Sequence, residues 1–277
     1  MDNFSVKEID AKRFKALAAQ ARSPAAAYTS EELAWYANAD ETVIGVILLD
    51  TIDDDYAAIV LGRDEGGRFR AFDLEVSIQT MDEAVDWMIG TIMWYTSTGK
   101  KVFPQGDIRK GIDLFSPIVP IEKQHPCFIT LDSDSAFIPA KTIINHMMPY
   151  FIDIDGNFVE QFQSAGFDSR LWELYLNAYL TEEQLFINRE HNAPDFIVKK
   201  YGKSVAIEAV IVGRRENNPP KFFKNYNTPR IPLNLIEEHE NAMPIKFGSP
   251  LYSNNKSPAR NTGAVSKNRR HKGKSWT

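Results

Sequence analysis

Three carboxylates, Glu173, Asp195 and Glu208, stand in stretches whose neighbours are mostly apolar. Glu208 carries the sharpest chemical implication. Val205, Ile207, Ala209 and Ile211 alternate with Ala206, Glu208, Val210 and Val212, so both faces of the strand they predict are apolar. That pattern predicts a strand buried on both sides. A carboxylate placed there is paired with a Lys or Arg, protonated, or bound to a metal, because burial strips its hydration.

Asp195 is placed relative to Glu208 by the turn between them. With Tyr201 and Gly202 as the central residues of a two-residue turn, Lys200 faces Lys203 and Asp195 falls opposite Glu208. With Gly202 and Lys203 central, the two carboxylates are diagonal neighbours on one face. A three-residue turn sends them to opposite faces. Opposed Cβ atoms lie about 4.5–5.5 Å apart, where two like charges are destabilising unless a cation lies between them. Asp195 also has a plainer reading as a turn residue that follows Pro194 and starts the strand.

Glu173 sits on a helix predicted from the 3.6-residue spacing of Phe167, Leu171, Leu174, Tyr175 and Ala178. Trp172, Leu176 and Tyr179 widen its apolar surface, and Arg170, Glu173 and Asn177 form the polar line. Here too a plainer reading exists: a surface pair between Arg170 and Glu173 at helical spacing.

A helix acid, then Pro194-Asp195 opening a strand, then Glu208 on the next strand follow one another in an order that resembles the PD-(D/E)XK, or restriction-endonuclease-like, nucleases. The resemblance spans roughly residues 153–252 and implies an α/β nuclease core with a Mg²⁺-dependent phosphodiesterase site, Mn²⁺ being an alternative ion. It implies Glu173, Asp195 and Glu208 as catalytic acids, with Asp195 and Glu208 holding the metal. The family's lysine, two residues after the strand glutamate, is Val210 here. Lys199, Lys200 and Lys246 are the substitutes, and Lys246 is taken as the candidate. The chemistry suits these residue types: Mg²⁺ held by one or two carboxylates activates water and neutralises phosphate charge, and a lysine stabilises the charge that develops.

The elements around this stretch divide the chain. Residues 1–99 read as an α+β module: helices over 2–22 and from Thr29, strands over 42–49, 56–62 and 69–76, and a helix over 81–95. Asp53-Asp54-Asp55 and residues 64–67 read as turns. Trp87 and Trp94, seven apart on the last helix, read as core. This module has no Gly-rich phosphate loop, no Ser-His pairing signal and no Cys/His metal spacing. Residues 100–149 form a Pro-punctuated connection with short extended pieces at 115–121 and 127–131. His125 and His146 are isolated and read as surface or hydrogen-bonded residues. Residues 150–252 form the nuclease-like core, opening with a strand at 150–154 and a helical turn at 158–163. Its later parts are Arg214-Arg215, which could grip a phosphate backbone, and a helix over 233–241.

Residues 253–277 form a basic, disordered tail: seven Lys and Arg follow Tyr252 with no acid. They hold too little apolar material for the parallel strand the family places there. The core is therefore expected to be incomplete at its C-terminal end, as in a shortened or frame-altered protein. Hydrophobic content of 43% with 12% aromatics predicts a packed core. The one cysteine, Cys127, excludes an intrachain disulfide and points to a reducing, cytoplasmic compartment. No signal peptide and no apolar run long enough to span a membrane is seen. The expected function is a metal-dependent nuclease or nuclease-derived protein acting on DNA. The alternative is an inactive binding module that kept the nuclease fold.

Overall fold

The computed structural model describes residues 5–106, 111–190 and 193–211. Residues 1–209 form one compact unit; residues 210–277 form a second, of which only Val210 and Ile211 are described. The architecture is α+β, and among the described residues both sheets are antiparallel.

The first sheet has the order β1 (Val6–Ile9), β2 (Ser30–Asn38), β3 (Val43–Asp50), β4 (Asp55–Arg63), β5 (Phe69–Ile78). Alternation sorts its side chains between two helices. Val43 and Ile47 of β3, with Ala58 and Val60 of β4, pack on Ala84, Met88 and Ile92 of α2 (Met81–Ser97). Ile44, Val46 and Leu61, pointing the other way, pack on Phe14, Leu17 and Ala18 of α1 (Ala11–Ala18). The sheet is covered on both faces, which is why β3 reads as a continuous apolar run. Close approach needs Gly62: a Cβ there would lie 2.3 Å from a Phe103 ring carbon and 2.8 Å from one of Phe72. Thr80 starts α2 with a reciprocal capping box to Glu83 (3.2 and 3.3 Å).

Several expectations are corrected. Residues 30–38 are strand β2, not a helix: Ala34 and Tyr36 face α2 while Ala37 faces α1, a period of two that outweighs the helix-like start at Thr29-Ser-Glu-Glu. Strand β1 precedes helix α1, where a continuous helix was expected; Asp10 caps α1 by accepting from Arg13 N at 2.7 Å. Residues 127–131 lie in helix α3 (Pro126–Ser133), with His125 as N-cap and Pro126 in the first turn, where proline's missing N–H costs nothing. Residues 115–121 and 150–154 contain no strand. Trp94, read as core, is 60% exposed.

A second core is helical. Phe128 of α3, Ile144 of α4 (Ile138–Met147), Phe158 and Phe162 of α5 (Phe158–Gln163) and Phe167 and Leu174 of α6 (Phe167–Glu182) gather around Leu114 and Phe151. The irregular path over residues 114–119 is held by one buried side chain. Gln163 Oε1 accepts from Ile118 N (2.9 Å) and Val119 N (3.2 Å), and its Nε2 donates to the carbonyls of Leu114 (2.9 Å) and Ser116 (2.7 Å). All four bonding positions of the amide are used.

The second sheet, β6 (Phe186–Asn188), β7 (Phe196–Lys200) and β8 (Lys203–Ile207), packs Phe196 and Val198 against Leu176 and Leu180 of α6. Tyr201 and Gly202 both take positive φ (50° and 73°), the conformation a two-residue hairpin turn requires. Lys200 faces Lys203 and Phe196 faces Ile207, so the first of the expected registers is the one adopted.

Candidate functional site

The register carries Asp195 and Glu208 to one end of the β7–β8 hairpin, one step beyond the Phe196–Ile207 pair. Asp195 is half-buried and its Oδ2 accepts from Ala209 N at 2.6 Å, which fastens the two strand ends together. Glu208 differs from expectation. It stands just past the end of β8, exposed, and β8 itself is exposed, with Val205 at 56%. Among the described residues β8 is bonded to β7 alone, so its apolar sequence is not matched by cover on both sides. Residual desolvation raises the Glu208 pKa, and the charges of Asp195 and then Glu173 add to the rise. Its carboxyl therefore lies in the field of both other acids.

Glu173 is buried, 4% exposed. Its Oε2 accepts from Arg170 Nη1 at 2.7 Å and its Oε1 from Arg189 Nη2. The expected Arg170–Glu173 pair is present, but inside the protein and shared with a second arginine. Arg170 is positioned by Gln161 Oε1 (2.7 Å) and lies over the Phe158 ring; Arg189 lies over the rings of Phe151 and Phe196. Burial lowers the Arg189 pKa, opposed by the charges of Glu173 and Asp195. Two of its nitrogens, Nε and Nη1, are buried without a hydrogen-bond partner among the described residues.

These groups line one cleft, in which Asp153, Asp155, Arg170, Glu173, Arg189 and Asp195 meet. Its void is small, about 30 Å³, room for an ion or a few waters at most within the cleft itself. Asp153 is half-committed: its two oxygens accept from Gly156 N (2.9 Å) and Phe158 N (3.0 Å), shaping the turn into α5. Glu208 stands beside the cleft rather than in its wall.

Of the sequence candidates, the structure brings Glu173 and Asp195 into one cleft with Glu208 in electrostatic range. Lys246, Arg214, Arg215, residues 233–241 and the basic tail lie outside the described residues. Lys199 is exposed, and Lys200 donates to the Glu183 carbonyl (2.8 Å), tying β7 to the end of α6. Val210, in the lysine position, is 43% exposed. Sequence reasoning missed Arg189 and Asp153. No spacing rule links Arg189 to Glu173 sixteen residues earlier; only the fold does.

Both isolated histidines are hydrogen-bonded. His125 Nδ1 accepts from Cys127 N (3.2 Å), and His146 Nδ1 meets Arg63 Nη2 at 2.7 Å. Among the described residues no group of three or more His, Cys, Asp and Glu side chains is placed to hold a metal ion, and no helix is long and apolar enough to cross a membrane. Comparison with protein-family models, curated proteins and solved structures gives no match.

Proposed function

We propose that α6 and the β6–β8 sheet form a restriction-endonuclease-like core, and that its cleft is a metal-dependent nuclease site acting on DNA. The observation that carries this reading is the convergence of a helix acid, Glu173, with Asp195 at the entrance of one strand and Glu208 at the exit of the next. Those are the three positions from which the sequence resemblance draws its acids.

The residues fit a small, hard cation of modest appetite. Mg²⁺ takes one or two carboxylates and completes its octahedron with water and phosphate oxygens, so a set of three protein ligands is not required. Asp195 has one oxygen occupied by Ala209 N and one left over, and Glu208 is exposed to solvent. When bound there, the ion would lower the pKa of a coordinated water and neutralise charge on a phosphate. The chain's own part is positional. The Asp195–Ala209 bond fixes the hairpin end, and Arg170 and Arg189 hold Glu173 in an ionised pair inside the wall.

A specific observation favours a second reading, a binding module that keeps the fold without cleaving. Glu173 is committed to two guanidinium groups, and Val210 replaces the expected lysine.

One experiment separates the two. The purified chain is incubated with single- and double-stranded DNA in Mg²⁺, Mn²⁺ or EDTA, and its melting is followed in the same buffers. Cleavage in either metal, and a metal-dependent rise in melting temperature, are expected; both should vanish in Asp195→Ala/Glu208→Ala. DNA bound without cleavage or metal dependence, by protein shown to be folded, would favour the binding module and sink the nuclease assignment.

A further inference from the structure

Away from the carboxylate cleft, α1, α4 and α6 leave a second and larger concavity. Its volume is about 390 Å³, inside the range of roughly 300–1,000 Å³ typical of small-molecule sites. The walls are apolar: Ala16 and Leu17 of α1, Ala19 just after it, Ile143 and Met147 of α4, and Ala178 of α6. Leu17, Ala19 and Met147 are buried, so the floor belongs to the packed interior. The polar lining is uneven in charge: Lys12 and Lys15, three apart and hence on one side of α1, stand against a single acid, Glu182. Neither lysine has a carboxylate within ion-pair distance among the described residues.

His146 completes the lining. Its Nδ1 is taken by the Arg63 guanidinium, which only donates, so the ring proton resides on Nε2. Burial and the Arg63 charge also hold the imidazole pKa down at about 4, so it is neutral at pH 7 and offers one N–H donor. An apolar floor, two unmatched ammonium groups and a neutral N–H donor are complementary to one kind of ligand.

We propose that this cavity binds a small amphiphilic monoanion: an aliphatic or aryl body against Leu17, Met147 and Ala178, and one carboxylate directed to Lys12 and Lys15. The site is independent of the nuclease reading, and neither depends on the other. Nucleic acid is a poor fit, because the floor is apolar and only two lysines stand at its side. A cationic ligand would meet two lysines for one glutamate.

The test uses the full chain with methyl-¹³C methionine and three probes of equal chain length: octanoate, 1-octanol and octylamine. Octanoate should shift the Met147 methyl saturably while Met88, enclosed between α2 and the first sheet, stays in place. A charge-assisted contact of this sort corresponds to roughly tenfold or more in affinity over the neutral alcohol. Lys12→Glu/Lys15→Glu should remove that preference; with Lys12 exposed and Lys15 half-buried, and neither ion-paired, the variant is expected to melt like the parent. Equal affinity for octanoate and octanol in the unaltered chain, an equal shift at Met88, or no saturable shift at Met147 would each overturn the proposal, with no recourse to the variant.

Discussion

Removing Glu173 should cost the protein more stability than any other single change in the cleft. The Glu173 side chain is 5% exposed, against 18% for Arg170 and 13% for Arg189. Arg170 keeps a bond to Gln161 when Glu173 is lost. Among the described residues Arg189 keeps nothing comparable: its other two nitrogens are already buried without a partner, and its guanidinium lies between Phe151 and Phe196. Glu173→Ala therefore leaves the Arg189 guanidinium in an apolar setting with only the Asp195 charge to oppose its burial, a loss of about 3–5 kcal/mol. That is a fifth or more of the ~5–15 kcal/mol available to a typical folded domain. At roughly 2–4 °C per kcal/mol for a unit of this size, the melting temperature should fall by about 6–20 °C. Glu173→Leu/Arg189→Leu, which removes both charges and keeps apolar volume, should be more stable than Glu173→Ala alone. Urea denaturation of parent, single and double variants at neutral pH gives the comparison, with an unchanged slope required for each pair. If Glu173→Ala lies within about 1 kcal/mol of the parent, the buried triad does not hold the cleft together and Glu173 is free for another role.

The other expectations are smaller in reach. His146 has its pKa depressed to about 4 by burial and the Arg63 charge, against an ordinary value near 6.5. The unfolded chain thus binds the proton first: the stability His146 confers is present above about pH 6.5 and is lost as pH falls towards 4. His146→Gln should flatten that part of the melting-temperature profile; an unchanged slope would contradict the assignment. Glu208 has its pKa raised by desolvation and by Asp195. The stability linked to it is therefore full below the ordinary glutamate range and is lost as pH rises through the folded value. Asp195→Asn should move the Glu208 carboxyl titration, read by ¹³C NMR, to lower pH, and no movement would mean the two acids are not in each other's field. Gly62→Ala should cost about 1–3 kcal/mol by overpacking, since the added carbon meets the Phe103 ring rather than the tip of a flexible chain. A thermally neutral Gly62→Ala would show that the stacked Phe72 and Phe103 rings can give way.

What could be read from the sequence was what depends on near neighbours. Turns at 53–55 and 64–67 delimit strands β3 to β5 within a residue or two, and the Tyr201-Gly202 turn, one of the alternatives open in the sequence, is the one that brings Asp195 across from Glu208. Strand β2 was hidden because Thr29-Ser-Glu-Glu imitates a helix start while its two-sided burial blurs the alternation. Helix α3 carried a start signal, Pro126 after His125, in a stretch too short for helical periodicity to show. At the site, residue types and strand pairing were legible, but cover was not: apolar residues on both faces of β8 do not reveal how many neighbours it has, and Glu208 is exposed. Nor can spacing announce Arg189, whose meeting with Glu173 is made by the packing of β6 against α6.

Gln163 has a consequence for which substitutions the chain tolerates. Its carboxamide is the same chemical group as a peptide link, and over residues 114–119 it stands in for the edge of a neighbouring strand, answering two N–H and two C=O groups in turn. No other side chain of that length has the same complement: glutamate lacks the donors, lysine lacks the acceptors, and asparagine is one carbon short. The contact reads main-chain atoms only, so it is blind to the identity of the six residues it secures. Descendants of this chain should therefore vary at the exposed clasped positions, Ser116 to Ile118, while Leu114 and Val119 stay apolar for the core and position 163 stays glutamine. A covarying background around one fixed amide would be the mark by which distant kin of this protein can be told from chance resemblance.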